Sequence, residues 1–425
     1  MQKELRTNLI YCGDCKEVLK QLPEESVDLI YLDPPFFSNK HYEVIWGDGA
    51  ELRAFEDRWK GGIMNYIEWM KERIEQCYRV LKRTGSLYLH CDTHASHYLK
   101  VYVLDPLFGY NQMVNEIVWC YTIGGKSKQS FGRKHDTIFL YAKSDNYTFN
   151  GKAVSIERPQ THMKMRIDKN GRPYQEKKDA KTGKIYRYFM DEGKIPEDYW
   201  TDIETINWEA AERLGYPTQK PEALLERIVK ASSNGGNLVL DPFCGCGTTL
   251  VVAQRLKRKW IGIDVSPTAC KLMMARLKKQ GARVEIVGMP TTVEDLKKLP
   301  PFEFQNFVVA YLLLGRVSPR KSSDMGIDGY NIEGTPIQVK QSDDVGRNVI
   351  DNFETAIKRV NKKKGIVIAF SFGKGAYEEV ARAKLKEELD IRLITLKELL
   401  KEKEIRLPDK KDQKEITHFT KQQVF

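Results

Sequence analysis

Three short stretches of this chain carry residues whose types and spacing could do chemistry. The first is Asp33-Pro34-Pro35-Phe36, placed directly after the apolar run Val27–Leu32. Prolines donate no backbone hydrogen bond and restrict the residue before them, so the strand implied by that run must end there. The result is a stiff loop offering a carboxylate, carbonyl oxygens and an aromatic face. Acceptors beside a stacking surface suit a flat ring bearing an exocyclic amino group, such as a nucleobase removed from its duplex. An isolated Asp-Pro pair is more often a turn initiator, so this stretch needs company to mean anything.

The second stretch is Asp241-Pro242-Phe243-Cys244-Gly245-Cys246-Gly247, between an apolar strand at 237–240 and a helix from Thr248 onward. A further strand, 260–263, ends at Asp264. Strand, glycine loop, helix, strand and acid is the order of a nucleotide-binding βα unit. Gly245 and Gly247 let backbone approach a ligand, and the acid can hold ribose hydroxyls. A dinucleotide fingerprint wants a third glycine inside the helix. Thr249 and Leu250 stand there instead, which argues against an NAD-linked dehydrogenase. The third stretch has Asp328 in a turn, then Gln338 and Lys340 at alternate positions of one strand. Those two side chains share a face. Acid, polar residue and lysine could hold a divalent metal and a water beside a phosphodiester.

The elements around these stretches alternate. Residues 7–36 read strand, short helix, strand, with Asp14 at the end of the first strand. An amphipathic helix is expected over 64–83, ended by Thr84-Gly85, then strands at 86–90, 115–121 and 136–141. Pro221 can open a helix running to Ser232. Such alternation implies a mainly parallel sheet with crossover helices. A second alternating block follows, with strands at 337–340 and 366–370 and helices at 348–362 and 375–388. Between 151 and 190 the pattern breaks, and eleven Lys/Arg stand against four Asp/Glu with Tyr174, Tyr186, Tyr188 and Phe189 interleaved. That composition fits either a solvated insertion or a DNA-contacting one, and its place between two chemical stretches favours DNA.

At 425 residues the chain has room for two or three domains, and its net charge of +11 favours a polyanionic partner. No apolar run approaches the roughly 18–20 residues that span a bilayer, so no membrane association is expected. No signal-peptide core follows the first residues, and a cytoplasmic location is the default expectation. Eight cysteines over this length do not make a disulfide scaffold. Cys12 and Cys15 lack a second pair, and His90, Cys91, His94 and His97 are read as core or helix-flanking residues. No metal is expected in this part of the chain.

The first two stretches, in this order, resemble the β class of exocyclic-amino (N6-adenine/N4-cytosine) DNA methyltransferases of restriction–modification systems. The resemblance spans about residues 7–290. It implies a Rossmann-like α/β fold, S-adenosylmethionine as cofactor, and double-stranded DNA as substrate. It also implies that Asp33, Pro34, Pro35 and Phe36 bind and orient the flipped base. Phe243, Gly245 and Gly247 would cradle the methionine portion of the cofactor, with Asp241 in the same loop. Asp264 would take the ribose hydroxyls, Asp14 would contact the adenine ring, and Thr218 and Lys220 would lie near the methionine carboxylate. Within the family an Asp at position 33 favours adenine N6 over cytosine N4.

Residues 305–400 resemble the Mrr-type branch of the PD-(D/E)xK restriction nucleases, in which Gln can replace the second acid. This implies a nuclease-like site at Asp328, Gln338 and Lys340, with Mg2+ as the candidate ion at Asp328. The expected organisation is a methyltransferase domain over 1–144 and 206–290 and an inserted target-recognition region over 145–205. A linker at 291–306, a small α/β endonuclease-like domain at 307–400 and a charged tail at 401–425 complete it. Homodimerisation and DNA cleavage stay open at this level. The rivals are an N4-cytosine methyltransferase, a DNA endonuclease with a cofactor-sensing N-terminal domain, and an RNA adenine methyltransferase.

Overall fold

Adjacent parallel strands bring the first two stretches side by side. The computed structural model describes residues 5–37, 41–45, 51–56, 62–122, 128–159, 161, 163–207, 209–214, 216, 218–318 and 326–405. Its main sheet holds β1 (Leu9–Cys12), β2 (Val27–Leu32), β3 (Leu81–Cys91), β4 (Met113–Cys120), β5 (His135–Ala142), β6 (Tyr199–Trp200), β7 (Leu238–Asp241), β8 (Lys259–Asp264) and β9 (Glu285–Val287). The spatial order is β6-β4-β5-β3-β2-β7-β8-β1-β9. Only β5 runs antiparallel to its neighbours, so the expected mainly parallel sheet is observed. β2 pairs β7 directly, with Leu29 opposite Val239 and Ile30 opposite Leu240, so Asp33 and Asp241 leave the same sheet edge next to each other.

Strands buried on both faces read as continuous apolar runs, and β2 and β7 do. Helices α1 (Cys15–Leu19) and α2 (Ile63–Val80) cover one face. The other carries α3 (Glu222–Ser232), α4 (Thr248–Arg255) and α5 (Pro267–Lys279). Helix α2 stops at Val80, short of the expected 83, because Leu81 turns extended and pairs with Val27 as the first residue of β3. Thr84 and Gly85 therefore lie inside a strand. Asp28 accepts from the Leu238 amide at 2.8 Å and from Lys82 at 2.8 Å, which ties the start of β7 to β2.

The basic insertion contains a separate antiparallel sheet of Met165–Ile167, Pro173–Lys178 and Ile185–Phe189. Behind β9 the structure departs from the expected linker. Helices α6 (Val293–Lys298) and α7 (Pro301–Asn306) occupy it, and α7 runs on into a π-helical turn, Phe307–Leu312. Thr292 and Asp295 form a reciprocal capping box on α6, and Pro301 stands in the first turn of α7. Leu296, Phe304, Phe307 and Val308 are buried against the last sheet, so this stretch is core rather than tether.

That last sheet runs β10 (Arg316–Val317), β11 (Gly329–Tyr330), β12 (Pro336–Val339), β13 (Lys364–Ala369) and β14 (Asp390–Thr395) in chain order. Helices α8 (Arg347–Arg359) and α9 (Lys374–Glu387) pack on it through Ile350, Phe353, Ile357 and Ala383. Of the expected tail, residues 406–425 lie outside the described residues. No helix among the described residues is long and apolar enough to cross a membrane.

Candidate active site

The loop after β2 and the loop after β7 open onto one cavity of about 540 Å³, a size ordinary for a small-molecule site. Asp33, Pro34, Pro35 and Phe36 form one part of its wall, and Phe243, Gly245, Asp241 and Asp264 another. Asp14, Thr218 and Lys220 also line it. Gly247 sits one residue behind the wall as the cap of α4, at φ 79°. A side chain on it would meet Met273 of α5 at 2.5 Å, and one on Gly245 would meet the Tyr216 ring at 3.1 Å. Glycine at both positions therefore keeps the loop close to its supports and its backbone open to the cavity.

Hydrogen bonds fix this second loop. Gly245 N–H donates to Asp264 at 2.8 Å, and the Ser266 amide donates to the other Asp264 oxygen at 2.9 Å. Arg276 of α5 donates to the Cys246 carbonyl at 2.8 Å and reaches Glu222 of α3 at 3.1 Å. Asp241 is buried, and its carboxylate turns back into its own loop to accept from the Phe243 amide at 3.0 Å. Burial pushes the Asp241 carboxyl up to about 7, opposed by its hydrogen bonds from Thr249 and Phe243. Burial likewise pushes Asp264 up to about 6.

The first loop is held by groups with no signal in the local sequence. The Tyr66 hydroxyl donates to the Pro35 carbonyl at 2.7 Å. Phe36 lies 5.7 Å from the ring of His90, which is fully buried. Nδ1 of His90 meets the Tyr31 hydroxyl at 2.8 Å, and Nε2 meets Asp136 at 3.1 Å. Burial raises Asp136, but hydrogen bonds from His90 and Tyr121 outweigh it and hold the carboxyl below the usual range. His90 thus supports the Phe36 ring from below, in a satisfied polar chain.

Two expected residues take partners that the sequence did not indicate. Lys220 donates to both oxygens of Asp33, at 2.8 and 2.7 Å, and stands 5.0 Å from the Phe36 ring centroid. Asp14 caps α1 through the Lys16 amide and pairs with Arg73 of α2, whose guanidinium lies 3.8 Å over Trp69. Trp69 in turn faces Phe243 at 5.8 Å. Sequence reading also missed Glu303, which lines the cavity beside Asp264 and Ser266.

The donor set fits S-adenosylmethionine. A glycine-backed loop offers close approach, aromatic rings flank it, and the half-buried Asp264 and the buried Glu303 make no ion pair among the described residues. Buried acceptors of that kind call for a ligand rich in hydroxyl and amino donors. In the last sheet, Asp328 accepts from the Val339 amide at 2.6 Å, across from Gln338 on β12. Gln338 is buried and its Oε1 has no hydrogen-bond partner. Lys340 follows β12 at intermediate exposure. Among the described residues, the acids close enough to share an ion are Asp351, Glu354 and Glu379, between α8 and α9. Arg347 and Arg382 already form ion pairs with all three, and Asp328 is not among them.

Residues 27–275 match a family model described as DNA methylase, the N6/N4 methyltransferases, and residues 296–402 match the Mrr catalytic model, described as restriction endonuclease. A DNA adenine methyltransferase of Escherichia coli, YhdJ, is 34% identical over 62% of this chain and 81% of its own length. The type II methyltransferase M.HpaI of Haemophilus parainfluenzae is 31% identical over 68% of this chain and 79% of its own. Among solved structures, the PvuII DNA methyltransferase (cytosine-N4-specific) is similar at 18% identity and a TM-score of 0.45, over 64% of this chain and 86% of that one. This chain belongs to the N6/N4 DNA methylase family, which uses S-adenosylmethionine, and carries a restriction-endonuclease-like domain after the methylase segment.

Proposed function

We propose that the protein methylates adenine N6 in double-stranded DNA, with Asp33, Pro34, Pro35 and Phe36 as the base-binding loop. The observation that carries the reading is the shared cavity: Asp33 and the glycine loop line one wall system, although they are about 210 positions apart in the chain. Aspartate at position 33 and the 34% identity to a DNA adenine methyltransferase favour adenine over cytosine.

An aromatic amino nitrogen is a poor nucleophile because its lone pair is delocalised into the ring. Asp33 and the Pro34 carbonyl accept its two N–H groups and favour a tetrahedral nitrogen with a directed lone pair. Their negative charge and dipole also stabilise the positive charge that develops on that nitrogen. Phe36 stacks on the extruded base, which offsets unstacking by about 1–3 kcal/mol. S-adenosylmethionine supplies a methyl group on a sulfonium. Phe243, Gly245 and Asp264 are the residues that would hold it, with Gly247 behind them and Thr218 at the rim. Asp241 shapes the loop, and Asp14 acts through Arg73 and Trp69. The insertion at 145–205 carries target recognition, its exposed lysines meeting phosphates.

Nucleoside analysis of DNA from a host expressing the protein tests this reading. N6-methyladenine at a fixed context is expected, and N4-methylcytosine or an unmodified genome would overturn it.

A second reading concerns the last domain. The orphaned Gln338 Oε1 beside Asp328 favours a site that takes a divalent cation such as Mg2+, held by one carboxylate and one amide oxygen, with Lys340 next to it. Cleavage of unmethylated but not self-methylated DNA in the presence of magnesium is expected; no cutting of either would leave this domain as a DNA-binding accessory.

A further inference from the structure

One wall of the cofactor cavity does not come from the methylase segment. Pro300, Pro301, Phe302 and Glu303 close it, and these residues fall within the stretch that matches the restriction endonuclease family. They open α7, which packs on α5 of the methylase fold. Phe304 and Phe307, directly behind, are buried in one cluster with Ile337, Val339, Ile366 and Ile368 of the last sheet. Tyr216, which also lines the cavity, packs against the same cluster. The cavity wall and the core of the C-terminal domain are therefore continuous.

Glu303 is only 7% exposed, and its Oε2 is buried without a hydrogen-bond partner. It faces Asp264 and Ser266, and among the described residues no cation pairs with either acid. Burial, helped by the Asp264 charge and opposed by a hydrogen bond from Ser266, pushes the Glu303 carboxyl up to about 8, so an orphaned carboxyl oxygen and the Asp264 carboxylate converge, poorly solvated, on one end of the cavity. That arrangement is costly when the end is dry and becomes favourable when a neutral, donor-rich group is set between them. Ribose hydroxyls and an adenine amino group are such donors; the carboxylate end of a ligand is excluded by charge.

We propose that Glu303 is a further S-adenosylmethionine-binding residue, contributed to the methyltransferase site by the restriction-endonuclease-like domain, and that it takes a donor of the cofactor's nucleoside half opposite Asp264. Filling the cavity then holds α7, and with it the C-terminal domain, against the methylase fold. The two domains share one ligand, and by reciprocity whatever displaces α7 weakens cofactor binding. This inference rests on the reading of the cavity as the cofactor site.

The test uses the full chain and S-adenosylhomocysteine as probe. Calorimetry on Glu303→Ala is expected to show affinity reduced about 3- to 10-fold, the loss of one buried hydrogen bond. Hydrogen exchange on the unaltered protein is expected to show slower exchange over 301–312 when the probe is bound. That second readout needs no variant and stands even where Glu303→Ala does not fold. Unchanged affinity in Glu303→Ala, or exchange over 301–312 indifferent to the probe, overturns the proposal. Asp264→Ala separates the two levels: if it weakens binding while Glu303→Ala does not, only this inference falls, and if neither does, the cavity is not the cofactor site.

Discussion

The Lys220 ammonium sits against both carboxylate oxygens of Asp33, 187 positions away in the chain, and both side chains are almost out of water. Charge burial of this kind is stabilising only while the partners stay together. The pair therefore keeps Asp33 aimed, and gives Lys220 a position from which it can act on the base-binding loop. The expected outcome for Lys220→Met is a fall in kcat of about 10²–10³, the size typical of losing one preorganised charge. Affinity for S-adenosylhomocysteine should change far less. Kinetics alongside calorimetry check this, and the opposite split would return Lys220 to the methionine carboxylate.

Removing the acid itself should separate chemistry from cofactor binding. In Asp33→Asn the side-chain volume is kept and one acceptor remains, but the charge that stabilises the developing cation is lost. Methyl transfer measured with tritiated cofactor should fall to near background, with S-adenosylhomocysteine still bound. Asp33→Ala should also lose stability, by about 3–5 kcal/mol, because Lys220 is left buried and unpaired. Normal turnover in either variant would remove Asp33 from the reaction.

What was legible in the sequence was the pair of loops, because a strand's end, a proline or glycine run and an acid are all local signals. Their meeting follows from β2 and β7 being neighbours, a pairing that only the family resemblance implied. The supports were not legible. Arg73 reads as a surface cation on an amphipathic helix, yet it is buried over Trp69 and pairs with Asp14, 59 positions away. His90 meets Tyr31 and Asp136 across 59 and 46 positions, and no periodicity carries such a pairing. The stretch 291–306 departs from its linker reading for another reason. Its helices are six residues each, too short for a helical period, and Pro300-Pro301 has the composition of a linker although Pro301 opens a helix. The Thr292/Asp295 capping box is the signal that the sequence does hold.

The insertion's charges divide into two kinds, and only one should matter for DNA. Arg172 is held by Asp191 and Glu192 and lies over Phe189, while Arg166 and Arg187 pair with Glu176. These arginines build the small sheet. Lys177, Lys178 and Lys181 are exposed and make no ion pair among the described residues. Replacing the three lysines by alanine should weaken DNA binding without unfolding the domain. The slope of log affinity against log salt should shrink by roughly 0.9 for each phosphate that is no longer neutralised. Titrations at several salt concentrations measure that slope, and an unchanged slope would place the DNA path elsewhere.

The buried acid at the end of β7 sets a pH dependence of stability. Burial raises the Asp241 carboxyl from its ordinary 3.8 to about 7, against the pull of hydrogen bonds from Thr249 and the Phe243 amide. Between those two values the folded protein holds a proton that the unfolded chain releases. The group's stabilising contribution is therefore complete below pH 3.8 and is lost as pH rises through about 7. From pH 5 to 8 this loss is of the order of 2–3 kcal/mol, taking roughly 1.4 kcal/mol per unit. Asp241→Asn mimics the protonated form and can still accept from the Phe243 amide, so its stability should fall less over the same interval. Denaturant unfolding of both proteins at pH 5 and pH 8, without ligand, gives the comparison. Parallel losses in the two would mean that Asp241 is ionised throughout, and that the loop after β7 is more solvated than its burial implies.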